Sequence, residues 1–433
     1  MNRTNNSNLG SDKKNPSNTC KKCAWPVCHT YCPIKRETPN WVSYFERAKA
    51  AEKNKQAGIA KKNWHLSWKE LALSSPFADI TGRVCPAPCI AGCVYAHTGQ
   101  ERFNVCKAEQ EISDQAWKHD WVSIQVPNKK INKSIAIVGS GPAGLTAAWR
   151  AIESGIGVVV FEKEKKLGGL LRYGIPTKKL PYEILDRNIT LLKKAGVDFR
   201  TDTSPDISEL KKQFDHVILA SGKNTPRKLP TLKDNNPKII QAIDLLRLQA
   251  KLELGEIKQL PINLQNKTIV LIGGGHTADD AVLTANQQGV KQVIMLVRKD
   301  RETYYDTREH PSSYRVGKID LKDEKEFFTG GEMGDYERWY GKQIADLQEK
   351  DSRLLLKLND STNLSVDFVL LALGFEDENL STEKNLTVIG DASRSADSNL
   401  SELVVQAIDD GEKVIQGLRK EWEIPSEKLV FLV

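Results

Sequence analysis

No cysteine follows Cys106 in this 433-residue chain, so its C-terminal three quarters hold neither a disulfide nor a redox thiol pair. Any apolar run approaching about 18 residues is also missing, which excludes a membrane-spanning helix. The first 19 residues are polar and lack the apolar core of a secretory leader; the expected setting is the cytoplasm, where structural disulfides are rare. Charge is not extreme either. The formal net charge is +7, and the lysine-rich stretches at 49–62 and 129–133 read as solvated faces rather than as a nucleic-acid site, or as a basic surface for an acidic protein partner. Residues 1–18, rich in Asn, Ser, Thr and Lys, read as a disordered tail.

The thiols that are present are crowded. Cys20, Cys23, Cys28 and Cys32 form one run, closed by Pro33; Cys85, Cys89 and Cys93 form a second, with Cys106 trailing. Cysteines this dense in a reducing compartment are metal ligands. Structural zinc favours CxxC pairs, and only Cys20 and Cys23 make one. The other spacings, and the Cys-Pro ending, match ferredoxin-like runs in which the last cysteine serves the other cluster, so the eight thiols favour two iron-sulfur clusters. Short helices are expected between the cysteine loops, at 41–52 and 105–117, and 127–133 reads as a linker.

From residue 135 the texture changes to buried strands alternating with helices, the mark of a doubly wound α/β fold. A strand-glycine-helix unit occurs twice. In the first, strand 134–138 runs into Gly139-Ser-Gly141-Pro142-Ala143-Gly144, a helix to Glu153, and strand 157–161 ending at Glu162. Gly139 permits the tight turn, Gly141 lets a pyrophosphate approach the backbone, Gly144 allows helix and strand to pack closely, and Glu162 stands where a carboxylate accepts from ribose hydroxyls. In the second, strand 268–272 meets Gly273-Gly-Gly275-His276-Thr277-Ala278, and strand 292–297 ends in Arg298 and Lys299, cations that suit a 2′-phosphate and favour NADP(H) over NAD(H). Near the C-terminus, strand 386–389 ends in Gly390-Asp391, and an apolar helix begins around Leu403 and Val404. Such a carboxylate meets a cofactor's polyol, and such a helix N-terminus stabilises a reduced, anionic flavin. No catalytic acid or base is nominated. Without a cysteine in either unit, a disulfide relay against the flavin is excluded.

The run Cys20 to Trp41, the run Thr81 to Cys93, the stretch GGLLRYGIP at 168–176 and LLALGF at 370–375 resemble the small (beta) subunit of bacterial glutamate synthase, over roughly 20–300 and 366–415. The same architecture recurs in dihydropyrimidine dehydrogenase and in flavin subunits of electron-bifurcating transhydrogenases. The resemblance implies a helical two-cluster domain at 19–126, an FAD-binding domain split into 127–235 and 366–433, and an NADP(H)-binding domain inserted at 236–365. It implies hydride transfer from NADPH to FAD, and single electrons leaving through two 4Fe-4S clusters to a partner, such as a large catalytic subunit. It assigns Cys20, Cys23, Cys28 and Cys93 to one cluster and Cys32, Cys85 and Cys89 to the other, whose last ligand is Glu109 in register, or Cys106 one helical turn away. Gly169, Leu170 and Arg172 join the flavin site.

The chain also departs from that pattern. His276 replaces an aspartate of the second glycine loop, residues 300–350 are strongly polar and lack the strand-helix pattern expected to complete the second domain, and 393–401 reads as an insertion. Two competing expectations follow: a free-standing NADPH oxidoreductase serving ferredoxin or another redox protein, and a scaffold subunit with structural clusters and a degenerate nucleotide site.

Overall fold

The computed structural model describes residues 20, 23, 26–90, 93, 103–128, 130–230, 236–301, 325–328, 334–378, 380–395 and 403–425. The expected tail lies outside them, as do 302–324, 329–333 and, from the expected insertion, 396–401.

The N-terminal unit is helical: α1 (Thr38–Lys53), α2 (Ala57–Ala72), α3 (Ala78–Val84) and α4 (Val105–Lys118). Pro39 stands at the start of α1, where its missing N–H costs nothing. The Asn104 side chain caps α4 by accepting from the Lys107 N–H at 3.0 Å. Trp41, Val42, Phe45 and Ala48 of α1 are buried with Ala60, Trp64, Trp68 and Leu71 of α2, each set at helical spacing. These stripes form no core of their own. They merge with Ile135, Leu145, Trp149 and Ile408 in one buried cluster, and Phe77 meets Trp149 edge-on at 5.4 Å.

The first sheet contains β1 (Ser134–Val138), β2 (Gly157–Phe161), β3 (Asp198–Arg200), β4 (His216–Leu219) and the return strand Leu386–Val388. All pair in parallel, in the order return strand, β4, β1, β2, β3. Helices α5 (Pro142–Glu153) and α6 (Tyr182–Lys194) follow β1 and β2, and the chain reverses direction across the sheet between β1 and β4. Ligands of open α/β sheets lie at such a reversal, beyond the strand C-termini.

The second sheet repeats the plan with β5 (Ile239–Gln241), α7 (Ala242–Glu253), β6 (Thr268–Ile272), α8 (His276–Gln287), β7 (Gln292–Val297), β8 (Lys325–Phe328) and β9 (Tyr336–Tyr340). An antiparallel meander, β10 (Ile344–Lys350), β11 (Arg353–Leu358) and β12 (Asn363–Val366), packs on its face through Leu354, Leu356 and Trp339. Then β13 (Phe368–Leu371) enters between β5 and β6. The chain thus returns to the first sheet only after Leu371, a few residues past the expected 366, with β14 (Leu386–Val388) and α9 (Val404–Glu421). No helix among the described residues is long and apolar enough to cross a membrane.

The strand half of the pattern found missing from 300–350 is present after all: β9 continues the sheet in parallel with β7, while 302–324 and 329–333 lie outside the described residues. Its sequence, YERWY, hides the strand because Arg338 is buried and paired with Asp279 of α8 at 3.2 Å. Hydropathy scores that arginine as surface.

A buried ionic network joins the helical unit to the first sheet. Asp79 of α3, 1% exposed, accepts from Arg187 of α6 at 2.7 Å and from the Asn188 amide at 2.9 Å. Arg187 also reaches Asp114 of α4 at 3.3 Å and lies 4.7 Å over the Trp117 ring, while Arg83 holds Asp114 at 2.7 Å. Removing one partner of a buried pair strands the other charge. Arg187→Met is expected to destabilise the chain by about 3–5 kcal/mol in a denaturant melt; a loss below ~1 kcal/mol would show that the network is solvated.

Candidate functional site

The cysteines fall into two neighbourhoods. The charges felt by Cys20 are those of Cys28, Cys93 and Cys23; Cys28 likewise feels Cys93 and Cys23. Cys32 feels Glu109 and Cys85, and Cys89 feels Cys85, Cys32 and Glu109 ahead of Cys28. Cys32, Cys85, Cys89, Cys106 and Glu109 line a single pocket. The loops that bring them together are tight. The Cys32 N–H donates to the Cys28 carbonyl at 3.1 Å, and the Ala87 N–H donates to Cys85 Sγ at 3.3 Å from a left-handed residue (φ 55°) between two prolines. Cys106 Sγ donates to the Cys85 carbonyl at 3.5 Å.

Sequence reasoning missed two further pocket residues, Arg36 and Thr81. Arg36 Nε lies 3.4 Å from Glu109 Oε1, and its Nη2 donates to Thr81 Oγ1 at 2.8 Å. Arg36 and Glu109 are each 4% exposed. The adjacency of Arg36 to the Cys32-Pro33 run and of Thr81 to Cys85 was the available signal.

Electrostatics describe what such a pocket lacks. Burial, then repulsion by Cys28, Cys93 and Cys23, pushes the Cys20 thiol up to about 12. Burial also raises Cys28, Cys32, Cys89 and Glu109, with Arg36 opposing the shift at Cys32 and Glu109. Cys85 is held low by the Cys106 thiol, which is itself driven far up. Crowded buried thiols stay ionised only around added positive charge. Among the described residues no three Cys, His, Asp or Glu side chains close on a point as ligands of a single ion would. The donor chemistry, thiol-rich, buried and short of cations, fits the iron of a cluster.

The two glycine loops are built alike. Gly139 (φ 107°) lies so near the Ala220 carbonyl that a Cβ would come within 2.3 Å of its oxygen; Gly273 (φ 125°) stands to the Ala372 carbonyl in the same way, at 2.2 Å. A Cβ on Gly144 would meet the Gly139 oxygen at 2.1 Å, whereas Gly141 and Gly275 face open space. That space is the cradle a dinucleotide pyrophosphate needs, at the N-termini of α5 (Pro142, Ala143) and α8 (His276, Thr277, Ala278).

Around the first cradle, Glu162 is 5% exposed, and its carboxylate accepts from the Ser140 N–H at 3.0 Å, the Ser140 hydroxyl at 2.5 Å and the Glu164 N–H at 3.0 Å. The acid shapes the loop. Gly169 rests on it, since a Cβ there would sit 2.9 Å from Gly141 Cα. Arg172 is buried and donates to the Leu167 carbonyl at 2.5 Å and to Asp186, so it braces this turn, while Leu170 is exposed. Opposite, the Gly390 N–H donates to Asp410 at 3.0 Å, and Asp391 pairs with Arg394 at 3.0 Å. Helix α9 begins at Leu403 and Val404 and packs on α5, where a Cβ on Gly411 would lie 2.5 Å from the Ala143 carbonyl oxygen. Its next residue, Val405, lines the cysteine pocket.

At the second cradle, Arg298 and Lys299 are exposed just past β7. His276 is the first residue of α8, and one turn on, Asp280 pairs with Lys179 of the flavin-side loop at 2.5 Å. Burial raises Asp280 against this partner.

Two glycine-cradled sheets in series, behind a thiol-lined helical unit, define an oxidoreductase of the flavin and pyridine-nucleotide class. Residues 133–316 match the family described as pyridine nucleotide-disulphide oxidoreductase, and residues 3–121 match dihydropyrimidine dehydrogenase domain II, 4Fe-4S cluster. The chain is 32% identical over 375 residues to the glutamate synthase [NADPH] small chain of Mycobacterium tuberculosis, covering 82% of this chain and 73% of that one. A putative small chain of Cereibacter sphaeroides is 31% identical, covering 71% and 77%. In fold it is similar to a mutant of FprA from Mycobacterium tuberculosis, with a TM-score of 0.51 at 17% identity, over 69% of this chain and 87% of that one. The chain belongs to the glutamate synthase small-chain family, and is an NAD(P)H-dependent FAD/iron-sulfur oxidoreductase.

The glycines make opposite predictions. Gly141→Ala places its Cβ in open space and is expected to fold normally while losing flavin; Gly144→Ala, clashing with backbone, is expected to lower the melting temperature itself. Flavin absorbance and a thermal melt on each variant separate the two, and equal stability losses would refute the cradle.

Proposed function

We propose that the chain takes a hydride from NADPH at the second cradle onto FAD in the first, and delivers single electrons through two 4Fe-4S clusters to a larger protein partner. The observation that carries this reading is helix α9: its Asp410 accepts from the Gly390 N–H just past β14, its Gly411 packs on α5, and its Val405 is a wall of the cysteine pocket. One helix touches both the turn after β14 and the cysteine pocket, which puts the two centres of this reading next to each other. FAD, when bound, supplies the conversion of a two-electron donor into one-electron steps.

The protein's part is positioning. Gly141 and the N-terminus of α5 receive the FAD pyrophosphate, Asp391 its polyol, and the positive end of α9 its reduced ring. Gly275 and α8 receive the nicotinamide nucleotide, with Arg298 and Lys299 on its 2′-phosphate. Cys20, Cys23, Cys28 and Cys93 hold one cluster. Cys32, Cys85 and Cys89 hold the other, with Glu109 or Cys106 completing it. The corresponding division is 19–126 for the clusters, 127–235 with the C-terminal part for FAD, and the intervening segment for NADP(H). The partner is a large catalytic subunit of the glutamate synthase type, which would use the electrons in synthesis.

Anaerobic stopped-flow mixing is expected to show flavin bleaching by NADPH, faster than by NADH. Arg298→Ala should cost NADPH binding roughly tenfold, the worth of a charge-assisted hydrogen bond of ~1.5 kcal/mol, and leave NADH nearly untouched. Cys20→Ala and Cys89→Ala should each abolish a different cluster signal in electron paramagnetic resonance. A flavin that neither nucleotide reduces would leave the scaffold reading.

A further inference from the structure

The least explained group in the cysteine pocket is a cation. Arg36 is 4% exposed and lines the pocket with Cys32, Cys85 and Cys89, and its guanidinium is divided in an unusual way. Nε approaches Glu109 Oε1 at 3.4 Å, a long contact, and Nη2 donates to Thr81 Oγ1 at 2.8 Å. The Arg36 charge and backbone oppose the rise that burial imposes on the Cys32 thiol. Nη1 is buried without any hydrogen-bond partner. An arginine whose task was to neutralise Glu109 would present its planar fork and make two short parallel bonds. Here the fork is split, and one charged nitrogen is left over on a side chain that lines the thiol pocket. A buried donor without an acceptor is expensive unless a bound group supplies the acceptor.

We propose that Arg36 is a positioning and potential-setting residue of the iron-sulfur centre held by Cys32, Cys85 and Cys89. Nε orients the Glu109 carboxylate, and Nη1 donates to a sulfur of the bound cluster. The donated N–H and the guanidinium charge favour the reduced cluster, whose extra negative charge is spread over its sulfurs, so Arg36 raises the reduction potential of this centre relative to the Cys20, Cys23, Cys28 and Cys93 centre. The order in which electrons fill the two centres is then written into one side chain. The inference rests on the two-cluster reading above.

The test is a redox titration of anaerobically purified full-length holoprotein, followed by electron paramagnetic resonance, with iron counted per chain. Arg36→Met is made alone and in a double variant with Glu109→Gln, which strands no buried carboxylate and is read against Glu109→Gln by itself; Arg36→Lys keeps the charge but not the fork. The expected result is a shift of one centre to more negative potential whenever Arg36→Met is added, in the wild-type chain or on Glu109→Gln, and a smaller shift in Arg36→Lys, with the other centre unmoved. Wild-type and variant potentials that coincide at full iron content overturn the inference and leave the electron-transfer reading standing. Equal shifts of both centres also overturn it, since a general loosening would act on both. If the double variant loses iron, Arg36→Lys decides alone: an unshifted centre there refutes the role. A wild-type chain that carries no iron sinks both readings.

Discussion

Helix α9 lies against α5 because Gly411 has no side chain. With any Cβ the two helices would part, the Ala143 carbonyl being only 2.5 Å from where that atom would stand. Much of the site depends on this contact. It sets the start of α9 beside the Gly390 turn, itself 3.3 Å from Ala143 by the same measure, and it delivers Val405 to the cysteines. A helix-helix approach fixed by backbone sterics holds the distance between the glycine cradle and the cysteine pocket more tightly than long side chains would, because close-packed contacts do not deform gradually.

Charge is handled differently on the two sides of that helix. Around the glycine cradles almost every ion is matched: Asp280 by Lys179, Asp279 by Arg338, Asp391 and Asp410 by Arg394. The cysteine pocket reverses this economy, with several acidic groups facing the single guanidinium of Arg36 among its lining residues. The protein therefore carries an electrostatic deficit in one place, and a thiophilic cation is what relieves it.

Local sterics made much of the fold legible. Each glycine of the two loops has a task defined within a few residues, so Gly139, Gly141 and Gly144 could be read from spacing, and the strands at 134–138, 157–161, 268–272 and 292–297 begin and end where expected. What escaped reading depends on distant partners. Arg338 looks like a surface residue until Asp279, 59 positions away, is placed against it. Arg36 meets Thr81 across 45 positions and Thr81 meets Glu109 across 28, so although both lie in the cysteine runs, spacing within a run does not show that they pair. Glu162 was found by position but is bound into the loop it terminates, because Ser140, unremarked in the sequence, turns both its N–H and its hydroxyl onto it. Arg172 likewise sits in the right stretch, yet the bonds it makes are to Leu167 and Asp186.

The position of Val405 also orders events in time. The cysteines occupy the first quarter of the chain and leave the ribosome early, but one wall of their pocket comes from a helix near the other end. Domains commonly fold as they emerge, N-terminal part first. Here the nascent helical unit has its thiols without an enclosure, and it shares its core with strands and helices not yet made. Iron inserted during synthesis would sit in a half-built, solvent-open site. An enclosed cysteine pocket therefore requires the C-terminal helix to be in place.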